Sequence, residues 1–183
     1  MKTKSYTFRV VIDTEEDIFR DIVILENQNF EEFHHSIIAA FGFEGDQMAS
    51  FYMSNEEWDK GEEIGLMDMS FEENKGPASM KNTLIGNMVK MPHQKILYVY
   101  DFLKMWIFYI ELFEEGVEDP EDGYPYVKLS FGEAPDESSK IIPDLIDNLY
   151  NDDSSIEDDV NDVFNEFDND DFENFENIDD YDI

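Results

Sequence analysis

Asp101 closes a run of alternating apolar residues and stands just upstream of Trp106, so its carboxylate is expected at a strand end, on the rim of a sheet. Tyr124 offers a phenol in the turn-rich stretch that follows, and Asp101, Trp106 and Tyr124 are together the candidate lining of a small-ligand or enzymatic pocket. The residue types favour a plainer reading, in which Asp101 caps a hairpin turn and Trp106 fills the core. A metal centre is not expected. The chain has three His and no Cys, and His34 and His35 are neighbours whose side chains leave a helix about 100° apart. Asp168, Asn169, Asp170 and Asp171 begin like a calcium loop, but no Gly follows at the sharp turn. A Walker sequence and a Gly-x-Ser-x-Gly elbow are both missing, so no cofactor and no catalytic residue is assigned.

The remaining chemistry is that of charge. The 183 residues carry 46 Asp and Glu against 12 Lys and Arg, a formal net charge of -34. Such a surface repels nucleic-acid phosphates and anionic lipid, so neither direct nucleic-acid binding nor membrane binding is expected. Residues 151–183 contain 15 acids and no base, with Phe172, Phe175, Ile178 and Tyr181 at every third position. This composition is too charged to fold alone, and it predicts a disordered arm after a domain spanning residues 5–150. Aromatic anchors among carboxylates suit docking on a basic protein partner, with Phe172, Phe175 and Tyr181 as contact residues. Two alternatives stand beside this non-enzymatic interaction module: a pocket near Asp101 and Trp106, and an acidic mimic of nucleic acid. The start of the chain shows no apolar signal segment, and the apolar stretch 96–113 is broken by Asp101, Lys104 and Glu111. A cytoplasmic protein is expected.

The elements that must position these residues follow from periodicity. Alternation over 6–12 and β-branched residues over 18–25 predict a first hairpin. Asn29 with Glu32 forms a capping box for a helix carrying Phe30, Phe33, Ile37, Ile38 and Phe41, and Gly42 stops it. Residues 48–53 read as a strand, 54–75 as a long acidic surface loop, and Pro77 and Ser79 as the start of a short helix with Met80, Leu84 and Met88 on one side. The strongest strand pattern covers 95–113, a hairpin turning at 102–105 whose apolar content on both faces marks central strands. Acidic residues 114–123 end that hairpin, 126–131 form a further strand, and 141–150 a closing amphipathic helix. The fold class is α+β, with a mixed or antiparallel sheet built from ββαβ then βββ and packed by one main helix and short helices.

The stretch Tyr98-Val99-Tyr100-Asp101-Phe102, with Trp106 and Ile110-Glu111-Leu112 after it, resembles the plasmid pRiA4b ORF-3-like family. The opening Tyr6-Thr7-Phe8-Arg9-Val10, the helix end from His35 to Phe43, Tyr124-Pro125, and Gly132-Glu133-Ala134-Pro135 fall in the family's order. The resemblance implies a compact α+β domain of uncertain function, found in bacteria and archaea and sometimes associated with mobile elements. It implies no established reaction. The family's Asp-Phe-Gly-Asp-x-Trp with a nearby His stands here as Asp101-Phe102-Leu103-Lys104-Met105-Trp106, with Phe108 in the place of the His. Its Pro-Glu-Asp-Cys-Gly-Gly stretch is reduced to Pro135-Asp136-Glu137-Ser138-Ser139.

Overall fold

A computed structural model describes residues 2–67 and 76–142. The chain divides into two units, Met1–Ile142 and Pro143–Ile183, and the architecture is that of the first. Nearly all of the helix expected over 141–150, and all of the acidic arm 151–183 with Phe172, Phe175 and Tyr181, lie outside the described residues.

Strand β1 (Thr3–Ile12) pairs antiparallel with β2 (Phe19–Leu25) on one side and with the long β7 (Trp106–Glu118) on the other. Its alternation decides which face is buried. Tyr6, Phe8, Val10 and Ile12 point into the core beneath the helix, while Thr7, Arg9 and Val11 alternate to the second face. Helix α1 (Phe30–Phe41) begins at the expected capping box: the Asn29 side chain accepts from Glu32 N, and Glu32 returns to Asn29 N. It ends at Gly42, whose φ of 70° is the left-handed conformation that glycine adopts without a Cβ clash. Phe30, Phe33, Ile37 and Phe41 seat α1 on the sheet, with the Phe33 ring stacked on Phe51 and Phe41 edge-on to Phe108.

Strand β3 (Ala49–Ser54) follows, and next comes a departure from the loop expected over 54–75: Lys60–Gly65 is strand β4, antiparallel to β3. Its sequence hides it, because only Ile64 turns a large apolar side chain into the core, and the polar remainder lies near the sheet edge. The two-residue β5 (Ala78–Ser79) pairs parallel with β4, which makes the sheet mixed. The short helix expected after Pro77 is split into a 3-10 turn over Met80–Asn82 and the single turn α2 (Ile85–Met88). Thr83 and Leu84 between them are extended, held by the bridge of Leu84 to Asn29, so Ile85 rather than Leu84 is buried beside Met80. Gly86 is no defect in this turn: a Cβ there would stand 2.9 Å from the Glu26 carbonyl oxygen, to which Gly86 N donates.

β6 (Lys95–Tyr100) and β7 form the second hairpin, turning over the expected residues. Both are central, and β6 is buried on both faces: Tyr98 and Tyr100 lie in the core, while Leu97 and Val99 are buried on the second face. Part of that second face is covered by Trp58, edge-on to Tyr109 at 5.0 Å. The acidic stretch after Phe113 does not end the hairpin. β7 runs on to Glu118 because β1 offers Thr3–Thr7 as a pairing partner, across a bulge between Thr7 and Phe8, and Lys4 pairs with Glu115 at 2.9 Å. β8 (Tyr126–Phe131) pairs with β2 at the far edge. The strand order is β5-β4-β3-β6-β7-β1-β2-β8, an eight-stranded mixed sheet carrying one main helix. No described helix is long and apolar enough to cross a membrane.

Candidate functional site

The chain leaves α1 at Gly42 and crosses the end of the sheet over residues 43–47, where the β6–β7 turn and the segment 134–142 meet it. Phe43 anchors the crossing by packing on Trp106 at 5.2 Å and on Tyr100 at 5.7 Å. Beside this aromatic cluster, none of whose three residues is in its lining, lies a cleft of about 600 Å³. Two of the segments that carry the family resemblance, the end of α1 and the β6–β7 turn, converge on it, together with residues 136–138 of the stretch where the chain departs from the family pattern.

Asp101 occupies the lip of the cleft and is buried. Its φ of 58° starts the turn, and its Oδ1 accepts from Leu103 N at 3.0 Å and Lys104 N at 3.1 Å. This is the turn-capping role that the residue types favoured, and Asp suits it because a short polar side chain tolerates the left-handed region and bonds its own backbone. Trp106 is in the core, also as that reading required, and its buried Nε1 has no hydrogen-bond partner among the described residues. The Lys140 ammonium lies 4.9 Å from the Trp106 ring centre and donates to the Met105 carbonyl. Burial holds the Lys140 pKa below its ordinary value, with Asp13 acting in the opposite sense.

Tyr124 is elsewhere. Its hydroxyl is 3.4 Å from a Glu118 oxygen at the distal end of β7, and its carbonyl accepts from Gln28 Nε2 at 2.9 Å. Trp106 opens that same 13-residue strand, so roughly 40 Å of extended chain separates the two ends at about 3.3 Å per residue. Asp101 and Trp106 are brought together; Tyr124 is not gathered with them.

The residues that join Asp101 around the cleft are Glu44, Asp46, Asp136 and Glu137, and among the described residues Lys104 is the single base in its lining. Glu137 is the keystone. The Tyr100 hydroxyl donates to Glu137 Oε1 at 2.8 Å, and Glu44 N donates to Oε2 at 2.7 Å. Gly45 N in turn donates to the Tyr100 oxygen at 3.0 Å, and Lys104 Nζ donates to the Glu137 carbonyl at 3.3 Å. Burial, then the bond to Glu137, pushes the Tyr100 phenol well above its usual pKa, so it remains a donor. Asp136 accepts from both the hydroxyl and the backbone N–H of Ser138, which holds its carboxyl below the usual range. The arrangement presents a cluster of carboxylates, Asp101, Asp136 and Glu137 among them held by neutral donors, with few cations nearby among the described residues. It can receive ammonium or guanidinium groups, and it would repel phosphate and carboxylate ligands.

Among the described residues, no group of three or more His, Asp or Glu side chains converges as metal ligands would. His34, next to His35 on the helix, is buried and pairs through Nδ1 with the Tyr98 hydroxyl at 2.6 Å. Sequence reasoning did not single out Glu44, Asp46, Asp136 or Glu137 as a site. Glu44 and Glu137 are 93 positions apart, and in a chain this acidic no local pattern marks which carboxylates will meet.

Comparison with known proteins agrees with this fold. The crystal structure of MM3350, a protein of unknown function from Methanosarcina mazei Go1, superposes with a TM-score of 0.65, is 23% identical and covers 81% of each chain. That likeness is one of fold. No curated protein matches the chain. Residues 4–176 match the description of the plasmid pRiA4b ORF-3-like proteins, and with nearly the whole length accounted for, the chain belongs to that family.

Proposed function

We propose that this protein is a non-enzymatic interaction module that engages a basic protein partner, with the cleft at the β6–β7 turn receiving cationic side chains and the acidic arm 151–183 adding longer-range attraction. The observation that carries the reading is the lining of the cleft: Glu44, Asp46, Asp101, Asp136 and Glu137 face a single Lys104. These carboxylates are poor candidates for proton-transfer chemistry. Asp101 is engaged in capping a turn, Glu137 in holding Tyr100 and the Glu44 amide, and Asp136 in binding Ser138. Ionised acceptors of this kind suit salt-sensitive recognition, in which charge sets encounter and specificity.

The volume of the cleft supports a second reading, because about 600 Å³ falls within the range of small-ligand sites. The same lining would then select an amine or guanidine.

Fluorescence anisotropy of the full-length protein with a labelled oligolysine of about ten residues, across a salt series, tests the first reading. The double variant Glu44→Gln, Asp46→Asn is expected to weaken binding roughly two- to thirtyfold, since each exposed ion pair contributes about 0.2–1 kcal/mol. A charge-matched pair in the β1–β2 connection, Glu15→Gln with Glu16→Gln, should change it far less. Equal losses in both pairs would show that only the overall charge is felt.

A further inference from the structure

The helix buries one face and leaves another, and the exposed one borders a free sheet edge. On α1, Glu32, His35, Ser36, Ala39 and Ala40 recur at intervals of three and four, so they share a face distinct from the one that carries Phe33 and Ile37. Opposite them stand Pro125, Tyr126 and Val127 at the start of β8, and between the two walls runs an open groove of about 500 Å³. Its floor is shallow and mostly apolar because the helix side chains there are small.

β8 is the last strand of the sheet, and every one of its residues is exposed. Among the described residues no strand pairs with its outer edge, so a row of backbone donors and acceptors is left open beside the groove at this end of the sheet. The other end of the sheet is protected differently, by a β5 of two residues, too short to template a neighbour. The geometry of the groove is also fixed. Arg20, buried between helix and sheet, donates from Nε to the Ala40 carbonyl at 3.1 Å and from Nη1 to the Phe131 carbonyl at 2.8 Å. One guanidinium thus ties the end of α1 to the end of β8, and the two walls are held at a set spacing before any ligand arrives.

We propose that an extended segment of a basic protein adds to β8 as a ninth strand, lying in the groove between α1 and β8. In such an addition the backbone supplies hydrogen bonds, and alternate side chains are read by the surfaces on either side. Side chains directed toward α1 meet Ser36, Ala39, Ala40 and Val127, which suit a small or medium apolar residue at every second position. Lys or Arg between them points to the opposite face, where the attraction comes from a chain whose net charge is -34. Charge disfavours the other two occupants: residues 151–183 bring 15 acids and no base, and a second copy brings another -34.

The test uses full-length protein and a labelled peptide of about eight residues alternating Lys and Val, two analogues N-methylated at alternate residues in one register or the other, and a version with Glu for Lys. The proposal expects saturable binding of the first peptide and a loss of about tenfold or more on N-methylation in one of the two registers, since methyl groups remove the ladder donors. Ala39→Trp, which fills the groove from an exposed helix position, should cause a similar loss. Hydrogen exchange should slow at residues 126–131 when peptide is added. Equal affinity for both methylation registers and the parent peptide would overturn the proposal, as would equal binding to Ala39→Trp or to the Glu peptide. Protection of 126–131 in the free protein would assign the edge to a dimer if sedimentation shows one and to the chain's own arm if it shows a monomer, and either result overturns it. The cleft reading fails or stands separately: if Glu44→Gln, Asp46→Asn weakens the peptide while Ala39→Trp and methylation do not, the groove is wrong and the cleft is supported.

Discussion

Protonating His34 works against the fold. Its imidazole is buried against Tyr98, and burial, followed by the charge of His35, lowers its pKa from 6.5 to about 4. Between those values the unfolded chain binds a proton that the folded chain refuses, so this contribution to stability is complete above about pH 6.5 and is lost as pH falls toward 4. The shift corresponds to about 3 kcal/mol. Urea midpoints measured at pH 7 and pH 4.5 for wild type and His34→Gln should converge at the lower pH, because Gln keeps a polar partner for Tyr98 but does not titrate. Midpoint curves that stay parallel would mean that His34 accepts its proton without cost. At this scale the sequence was informative about individual roles and uninformative about meetings. Asp101 as a cap and Trp106 as core follow from residue type and position alone. The convergence of Glu44, Asp136 and Glu137 depends on how three distant segments cross one end of the sheet, and acids so abundant cannot be told apart by type.

At the scale of elements, the β6–β7 turn depends on a residue that accepts a left-handed backbone and two hydrogen bonds at once. Asp101→Ala keeps neither advantage and is expected to cost about 1–2 kcal/mol, whereas Asp101→Asn retains both and should cost less than about 0.5 kcal/mol. Chemical denaturation of the two variants decides the matter, and equal losses would mean that the negative charge, not the cap, is what the turn needs. The same hairpin shows why some elements were legible. Alternation over β1, β6 and the first half of β7 reflects burial and could be read directly, as could the capping box and Gly42 of α1. β4 escaped because Ile64 is its one large core residue, and the second half of β7 escaped because Glu114, Glu115 and Glu118 look like loop until Thr3–Thr7 is laid beside them. Pairing supplied by a distant strand leaves no local trace.

For the whole molecule, a net charge of -34 sets the balance between cohesion and self-repulsion. Among the described residues the surface ion pairs, such as Lys4 with Glu115, Lys95 with Glu56 and Lys128 with Glu114, are few beside the acids they leave unneutralised. Raising sodium chloride from about 0.05 to 0.5 M shortens the screening length from roughly 14 to 4 Å and should raise the melting temperature by several degrees. A melting temperature that falls with salt would show those pairs outweighing the repulsion. The placement of β1 between β2 and β7 has a further consequence, for the order in which the protein is made. Its β2 edge can be satisfied as soon as the first hairpin leaves the ribosome, but its other edge waits for the strand that ends at Glu118. At about 5–20 residues per second, the roughly 100 residues between them take some 5–20 s to synthesise. For that interval the nascent chain carries the unpaired backbone edge of β1, so newly made protein, rather than finished protein, is where chaperones are most needed.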